Sequence, residues 1–251
     1  MDRAYVAVHV AEDREHWWFQ GRRAILVALL RRVLAPGHHR LLELGCGSGN
    51  MLESLGEFGE AVGMEPDAAL VAAARAAGLD VRRGALPRDR VVEPGWPDVV
   101  LMLDVLEHLD DDTAALRTAH AMLRAGGMLV LAVPAYQWLW SAHDVVLNHR
   151  RRYTARRLRG RVEGAGFQVE HVGYFNTLLL PGIALARAWK ALRGDKGHDL
   201  VRPPAPINAA LAALFALEAP IVTRLPVPFG ASILLVARRG ASADRRGRAR
   251  R

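Results

Sequence analysis

The sequence predicts a doubly wound α/β fold, a mostly parallel sheet wrapped by helices. Three observations carry that expectation. Between residues 38 and 135, short apolar runs alternate with segments of helical periodicity, the pattern of consecutive strand–helix–strand units. Two runs, DVVLMLDV at 98–105 and MLVLAVP at 128–134, are continuously apolar through their centres, as strands covered on both faces must be. The first run leads straight into a glycine loop, LLELGCGSGN at 41–50, a turn that lets backbone approach a ligand at a strand's carboxyl end.

The elements follow in order. Residues 17–35, WWFQGRRAILVALLRRVLA, set apolar residues at helical spacing with arginines between them, and Pro36-Gly37 stops that helix. RLLELG reads as a strand, 50–60 as a helix, AVGMEP as a strand, 67–77 as an alanine-rich helix ended by Gly78, and VRRGAL as a weak strand. After DVVLMLDV, a helix over 111–124 stops at Gly126-Gly127 before MLVLAVP. Beyond Pro134 the period is lost, and YQWLWSAHDVVLNHRRRY reads as a segment inserted over the strand ends. A helix over 154–165 then takes Thr154 as its cap and Gly166 as its stop. The strand FQVEHVGYF, an apolar and mainly helical stretch over 177–225 broken by GDKGHD and PPAP, and a last strand ASILLVARR complete the chain. The expected organisation is one domain over 1–240. It comprises a helical lid (1–37), a ligand-binding core (38–135), an insertion with helices (136–230) and the last strand (231–239), with a basic disordered tail over 240–251.

Composition narrows the function classes. The chain has 251 residues and is 51% hydrophobic, enough for one full core. Its single cysteine, Cys46, excludes an intrachain disulfide framework and fits a reducing compartment. Of the net charge of +8, residues 238–251 hold +6, with seven arginines and one aspartate. The body is therefore close to neutral, and a nucleic-acid partner is not expected. The first residues are charged and carry no long apolar block, so no signal peptide is expected. The strongly apolar charge-free runs 172–186 and 203–217 contain proline and fall short of the roughly 18–20 residues of a membrane span. The expected location is cytoplasmic, with contact at a membrane surface left open and the oligomeric state unspecified.

The glycine loop lacks the dinucleotide fingerprint, because Asn50 stands where its third glycine belongs. The pattern present is E-x-G-x-G-x-G, from Glu43 through Gly45 and Gly47 to Gly49, with Cys46 inside it. Glu65 ends the second strand 20 residues after Gly45, LMLDVLEHL ends the fourth, and AGGMLVLAVP supplies a Gly-Gly turn into the fifth. Together these resemble the class I S-adenosylmethionine-dependent methyltransferases, closely over about 38–135. HWWFxGRR and HD-x4-HRRRY further resemble a bacterial subgroup of type 11/12-like methyltransferases. The resemblance implies a Rossmann-like sheet of seven strands with an antiparallel last strand. It also implies S-adenosylmethionine as cofactor and methyl transfer to O, N or C of a small, hydrophobic or lipid-linked acceptor. A nicotinamide oxidoreductase on a similar sheet and a non-catalytic cofactor-binding module are the alternatives.

The resemblance assigns Glu65 and Pro66 to the ribose end and Glu43 to the cofactor's amino group, or to tying the loop to its helix. Asp104, at the end of the fourth strand, faces the transferable methyl or the acceptor, and Val105 beside it is counted with the cofactor-binding residues. The family's usual acidic or amide contact to adenine is missing from RRGALPRD, which leaves the backbone of Ala85 and packing from Leu86. Cys46 has no neighbouring base and reads as small loop filler. His108, His143, Asp144 and His149 are the catalytic candidates. His108 either moves protons or packs on the cofactor. The His143/Asp144/His149 group is a base with an orienting carboxylate, a metal site or a hydrogen-bonded scaffold, and no metal is expected. His16, Trp17, Trp18, Tyr136, Arg152 and Tyr153 are assigned to the acceptor or its lid, the aromatic pair either closing the site or docking the first helix.

Overall fold

A computed structural model describes residues 12–194 and 202–240. Residues 1–11 of the expected lid, most of GDKGHD and residues 241–251 of the expected tail lie outside the described residues.

The elements are α1 (Trp17–Val33), β1 (His39–Leu44), α2 (Asn50–Leu55), β2 (Gly59–Glu65), α3 (Ala68–Ala76), β3 (Val81–Arg83) and β4 (Val99–Leu103), followed by a 3₁₀ turn, Leu106–His108. Next come α4 (Asp112–Met122), β5 (Met128–Pro134), a second 3₁₀ turn at Gln137–Leu139, α5 (Ala142–Val146), α6 (Ala155–Gly164) and β6 (Phe167–Phe175). The chain closes with α7 (Leu180–Leu192), α8 (Ala205–Ala216), α9 (Ala219–Val222) and β7 (Ser232–Arg239). The sheet has seven strands in the order β3-β2-β1-β4-β5-β7-β6. β7 runs antiparallel to both neighbours, and the other pairings are parallel. The fold is the Rossmann-like arrangement that the resemblance implied.

Local chemistry explains the boundaries. Asp67 accepts from the amides of Ala69 and Leu70 to start α3, Asp111 from Ala114 to start α4, and Thr154 from Arg157 to start α6. The helix expected over 50–60 ends at Leu55, because Gly56 follows and the chain turns into β2 at Gly59. There a Cβ would fall 2.0 Å from the His39 carbonyl oxygen. The irregular segment after β5 contains α5, which the sequence pattern missed because it holds little more than one turn.

The core lies on both faces of the sheet. One face packs Leu42, Leu44, Val100, Leu129 and Leu131 against α4 and α6, and the other packs Leu41, Leu101, Val130 and Ala132 against α1, α2 and α8. α1 is seated on α8 by Phe215, which is fully buried, stacked on Phe175 at 5.9 Å and edge-on to Trp17 at 6.1 Å. Gly21 is what permits this approach, since a Cβ there would lie 2.3 Å from the Phe215 ring. The helical stretch Ala205–Val222 has 18 residues and is long and apolar enough to cross a membrane. That exceeds the run counted from sequence, because the helix continues past Leu217 through Glu218, whose carboxylate is buried and accepts from the Leu178 amide. A third of the stretch is buried, and Phe215 and Val222 belong to the core.

Phe215→Ala should lower the unfolding free energy by about 3–5 kcal/mol in a urea titration, the range for emptying a buried aromatic site. Leu214→Ala, at an exposed neighbour, should change it by less than about 1 kcal/mol. Equal effects would contradict this seat for α1.

Candidate active site

The carboxyl ends of β1, β2, β4 and β5 open into one cavity of about 780 Å³, where a doubly wound sheet places its ligands.

The glycine loop forms one half. Gly45, Gly47 and Gly49 adopt φ of 76°, 57° and 88°, a region that side chains disfavour by about 1–2 kcal/mol. A Cβ on Gly45 would lie 2.6 Å from Val105, so loop and β4 turn are in direct contact. Gly45 and Gly47 line the cavity, whereas Gly49 does not; it starts α2 and abuts Leu79. Glu65 lines the cavity and accepts the amide hydrogens of Gly47 and Asp67, each at 3.0 Å. A carboxylate has about four acceptor positions, so two remain for ligand hydroxyls. Glu43 is buried, and its Oε2 meets no hydrogen-bond partner among the described residues. Burial pushes its carboxyl up to about 8, aided by the negative charge of Glu65 and opposed by Arg22. A cationic amino group on a ligand would satisfy that orphaned oxygen, which makes this half a fit for an amino-acid-bearing nucleoside.

Cys46 lines the same wall, packed so closely that a Cβ on Gly63 would lie 2.5 Å from its sulfur. Burial raises its thiol pKa, and the Glu43 and Glu65 carboxylates raise it further, so it is no nucleophile at neutral pH. Pro66, Ala85 and Leu86 also line the cavity. Asp89 folds back to accept the Ala85 amide at 2.8 Å.

The first described residues cover this half. The Asp13 carboxylate accepts from Ser48 Oγ, and Asn50 donates to the Asp13 carbonyl. His16, Trp17 and Trp18 line the cavity while both tryptophans also pack on the core, so covering and docking coexist. Arg22 reaches from α1 to pair with Asp104 and lies over the Trp18 ring at 4.6 Å. Asp104, just past β4, holds φ of 56°, a strained conformation of the sort found where strand ends meet ligands. Asp104 and Val105 both line the cavity.

The other half contains His108, His143, His149 and Arg152. Their organiser is Asp144, which is fully buried and stands behind them rather than in the cavity. Its carboxylate accepts from Arg152 Nε at 2.8 Å and Nη2 at 2.9 Å, and it pairs with His149 Nδ1 at 2.8 Å. It also accepts from the Ser141 amide at 2.9 Å, closing a capping box on α5. Burial pushes the Asp144 pKa up, but these bonds outweigh it and hold the carboxyl well below the usual range. The sequence set Asp144 beside His143, yet its ring partner is His149, brought round by Asn148 at φ 56°. The His149 ring meets His108 edge-on at 4.6 Å and His143 at 6.5 Å.

Two expected acceptor residues do not line the cavity. Tyr153 is core: its hydroxyl donates to Asp112 at 2.9 Å, and its backbone bridges Ala135. Tyr136 stacks between Tyr174 at 5.0 Å and Trp138 at 5.7 Å, turned away by its own positive φ. Conversely, Asp13, Arg22, Asn176 and Arg187 line the cavity without having been singled out. Asn176 is fully buried, and neither end of its amide meets a partner among the described residues. Arg22 lay inside the HWWFxGRR motif; Asn176 carried no motif and became visible only through the fold.

The comparisons with known proteins decide the family. The methyltransferase-domain family model matches residues 11–172. The chain belongs to that family. A Mycolicibacterium smegmatis protein described as a probable S-adenosylmethionine-dependent methyltransferase is 30% identical over 161 residues, 62% of this chain and 61% of that protein. A ubiquinone biosynthesis O-methyltransferase of Bradyrhizobium is 33% identical over 107 residues, 39% of this chain and 41% of that one. The matches thus span between two fifths and three fifths of these relatives. The crystal structure of a Mesorhizobium loti S-adenosylmethionine-dependent methyltransferase superposes with a TM-score of 0.58 at 21% identity, covering 86% of this chain and 98% of that one. The nicotinamide and non-catalytic alternatives find no support in this family.

The orphaned Glu43 gives a pH prediction. A ligand ammonium needs the ionised carboxylate, which below about pH 8 is the minor form in the free protein. Affinity for S-adenosylhomocysteine should therefore rise up to about tenfold per unit between pH 6 and 8, and flatten and then fall as the ligand's own ammonium loses its proton. Calorimetry across that range checks it, and Glu43→Gln should flatten the rise. A flat wild-type profile would remove Glu43 from the amino-group site.

Proposed function

We propose that this protein is an S-adenosylmethionine-dependent methyltransferase that methylates a hydroxyl of a small amphiphilic molecule. The supporting observation is a single cavity with the family's glycine loop, Glu43 and Glu65 at one end and a histidine-rich wall at the other. The cofactor supplies an activated methyl group on a positively charged sulfonium. Glu65 would take the ribose hydroxyls, Glu43 the amino group, and Ala85 and Leu86 the adenine. Asp104, held by Arg22, stands where the two halves meet. Trp17 and Trp18 cover that junction, and the histidine wall ordered by Asp144 activates the acceptor's hydroxyl. An oxygen acceptor is favoured by the O-methyltransferase relatives and by the ordered imidazoles facing the junction.

α7 supports the amphiphilic character. Its Ile183, Ala186, Arg187 and Lys190 line the cavity, while Leu185, Trp189 and Leu192 on the opposite face are exposed. One helix thus joins the acceptor half to an apolar surface, a suitable entry for a molecule delivered from a lipid interface. Cytoplasmic residence with peripheral membrane contact is part of this proposal.

Titration calorimetry with S-adenosylhomocysteine, with NADH in parallel, tests the cofactor reading. We expect micromolar binding of the first and none of the second. Glu65→Ala should weaken binding by about 1–3 kcal/mol, the size of lost charge-assisted hydrogen bonds. Binding of NADH alone, or unchanged affinity in the variant, would contradict the assignment.

A further inference from the structure

The most costly group in the cavity has no task in the scheme above. Glu107 stands on the 3₁₀ turn after β4, is fully buried, and lines the cavity. Apart from its own backbone amide, neither carboxylate oxygen meets a hydrogen-bond donor among the described residues. A buried carboxyl in that condition either stays protonated or takes up a cation. The nearby arginines are already committed: Arg22 to Asp104, and Arg152 to Asp144. If Glu107 ionises, these three carboxylates and two guanidinium groups leave one negative charge at this end of the cavity for a cation to balance.

Two imidazoles stand beside that carboxylate. One ligand atom each from Glu107, His108 and His149 lies within 4.8 Å of the other two. Three donors held by one ion at about 2.0–2.2 Å lie roughly 3–4.4 Å apart, so the three side chains would draw together to hold it. The His149 ring is also presented as a ligand would be. Its Nδ1 is engaged by Asp144 at 2.8 Å, which leaves Nε2 for the cavity. A carboxylate behind an imidazole is the usual outer support of a metal-bound histidine, fixing its tautomer and orientation. Arg152 locks that carboxylate from its other side.

We propose that Glu107, His108 and His149 bind one divalent transition-metal ion whose remaining coordination positions face the cavity. Two nitrogens and one oxygen suit manganese, iron, cobalt, nickel or zinc better than calcium or magnesium. The metal reading weighed from sequence grouped His143 and Asp144 with His149, whereas the fold brings Glu107 and His108 to it. The role of the ion rests on the methyltransferase reading. It would draw in an acceptor hydroxyl and lower its pKa. The hydroxyl proton leaves to solvent, an oxygen lone pair forms the new C–O bond, and the C–S pair returns to sulfur, giving the neutral thioether. His149 is then a ligand rather than the base.

The test uses the full chain without an affinity tag, stripped with chelator and titrated with Co²⁺ while its visible absorption is followed. Wild type should saturate at one equivalent, and Glu107→Gln and His149→Ala should each bind at least about tenfold more weakly. A wild type that takes up no Co²⁺, or folded variants that bind it equally well, would overturn the site. Calorimetry with S-adenosylhomocysteine on the same wild-type sample separates the two readings. Nucleoside binding without Co²⁺ uptake refutes the metal and leaves the methyltransferase. Co²⁺ uptake without nucleoside binding supports the metal and refutes the cofactor assignment.

Discussion

A buried carboxylate has to be matched on every side, and Asp144 shows what that demand can build. Removing one partner of such a pair typically costs about 3–5 kcal/mol, since it strands a charge in a poorly solvated site. Asp144 meets the demand with Arg152, His149 and the Ser141 amide. Arg152 in turn donates to the Ala135 carbonyl at 3.1 Å, just past β5. The inserted segment is thereby fastened over the sheet's carboxyl edge, α5 is capped, and the His149 ring is turned toward the end of β4. A segment with no hydrophobic period of its own gets its shape from this one charge.

The opposite half depends on backbone rather than charge. Three left-handed glycines bring the loop against Val105 and under Asp13, leaving room for a ligand at the end of β1. Glu65 joins the two schemes, because it holds the loop through the Gly47 amide while facing the cavity. The halves meet at Asp104. There, an ion pair with Arg22 ties the covering helix to the fourth strand.

Much of this was legible in the sequence. The mostly parallel sheet with its antiparallel last strand follows from the alternation of elements together with the family pattern, and the glycine loop, Glu43 and Glu65 could be placed at the cavity because they stand at fixed offsets from strand ends. The acceptor half was legible only as a cluster. HD-x4-HRRRY announced that charged and aromatic residues crowd together, but pairings inside an irregular segment are decided by long-range burial. Tyr153 therefore went to the core beside Asp112, Asp144 paired with His149 across a left-handed Asn148, and Tyr136 stacked on Tyr174. Glu107 and Asn176 stand out because their buried polar atoms meet no side-chain partner among the described residues, a property no residue spacing encodes.

The most direct test of this division of the cavity is a crystal structure with S-adenosylhomocysteine bound. The account predicts ribose hydroxyls on Glu65, the amino group at Glu43, and the sulfur directed past Asp104 toward His108 and His149. A nucleoside seated among the histidines, or an amino group remote from Glu43, would contradict it.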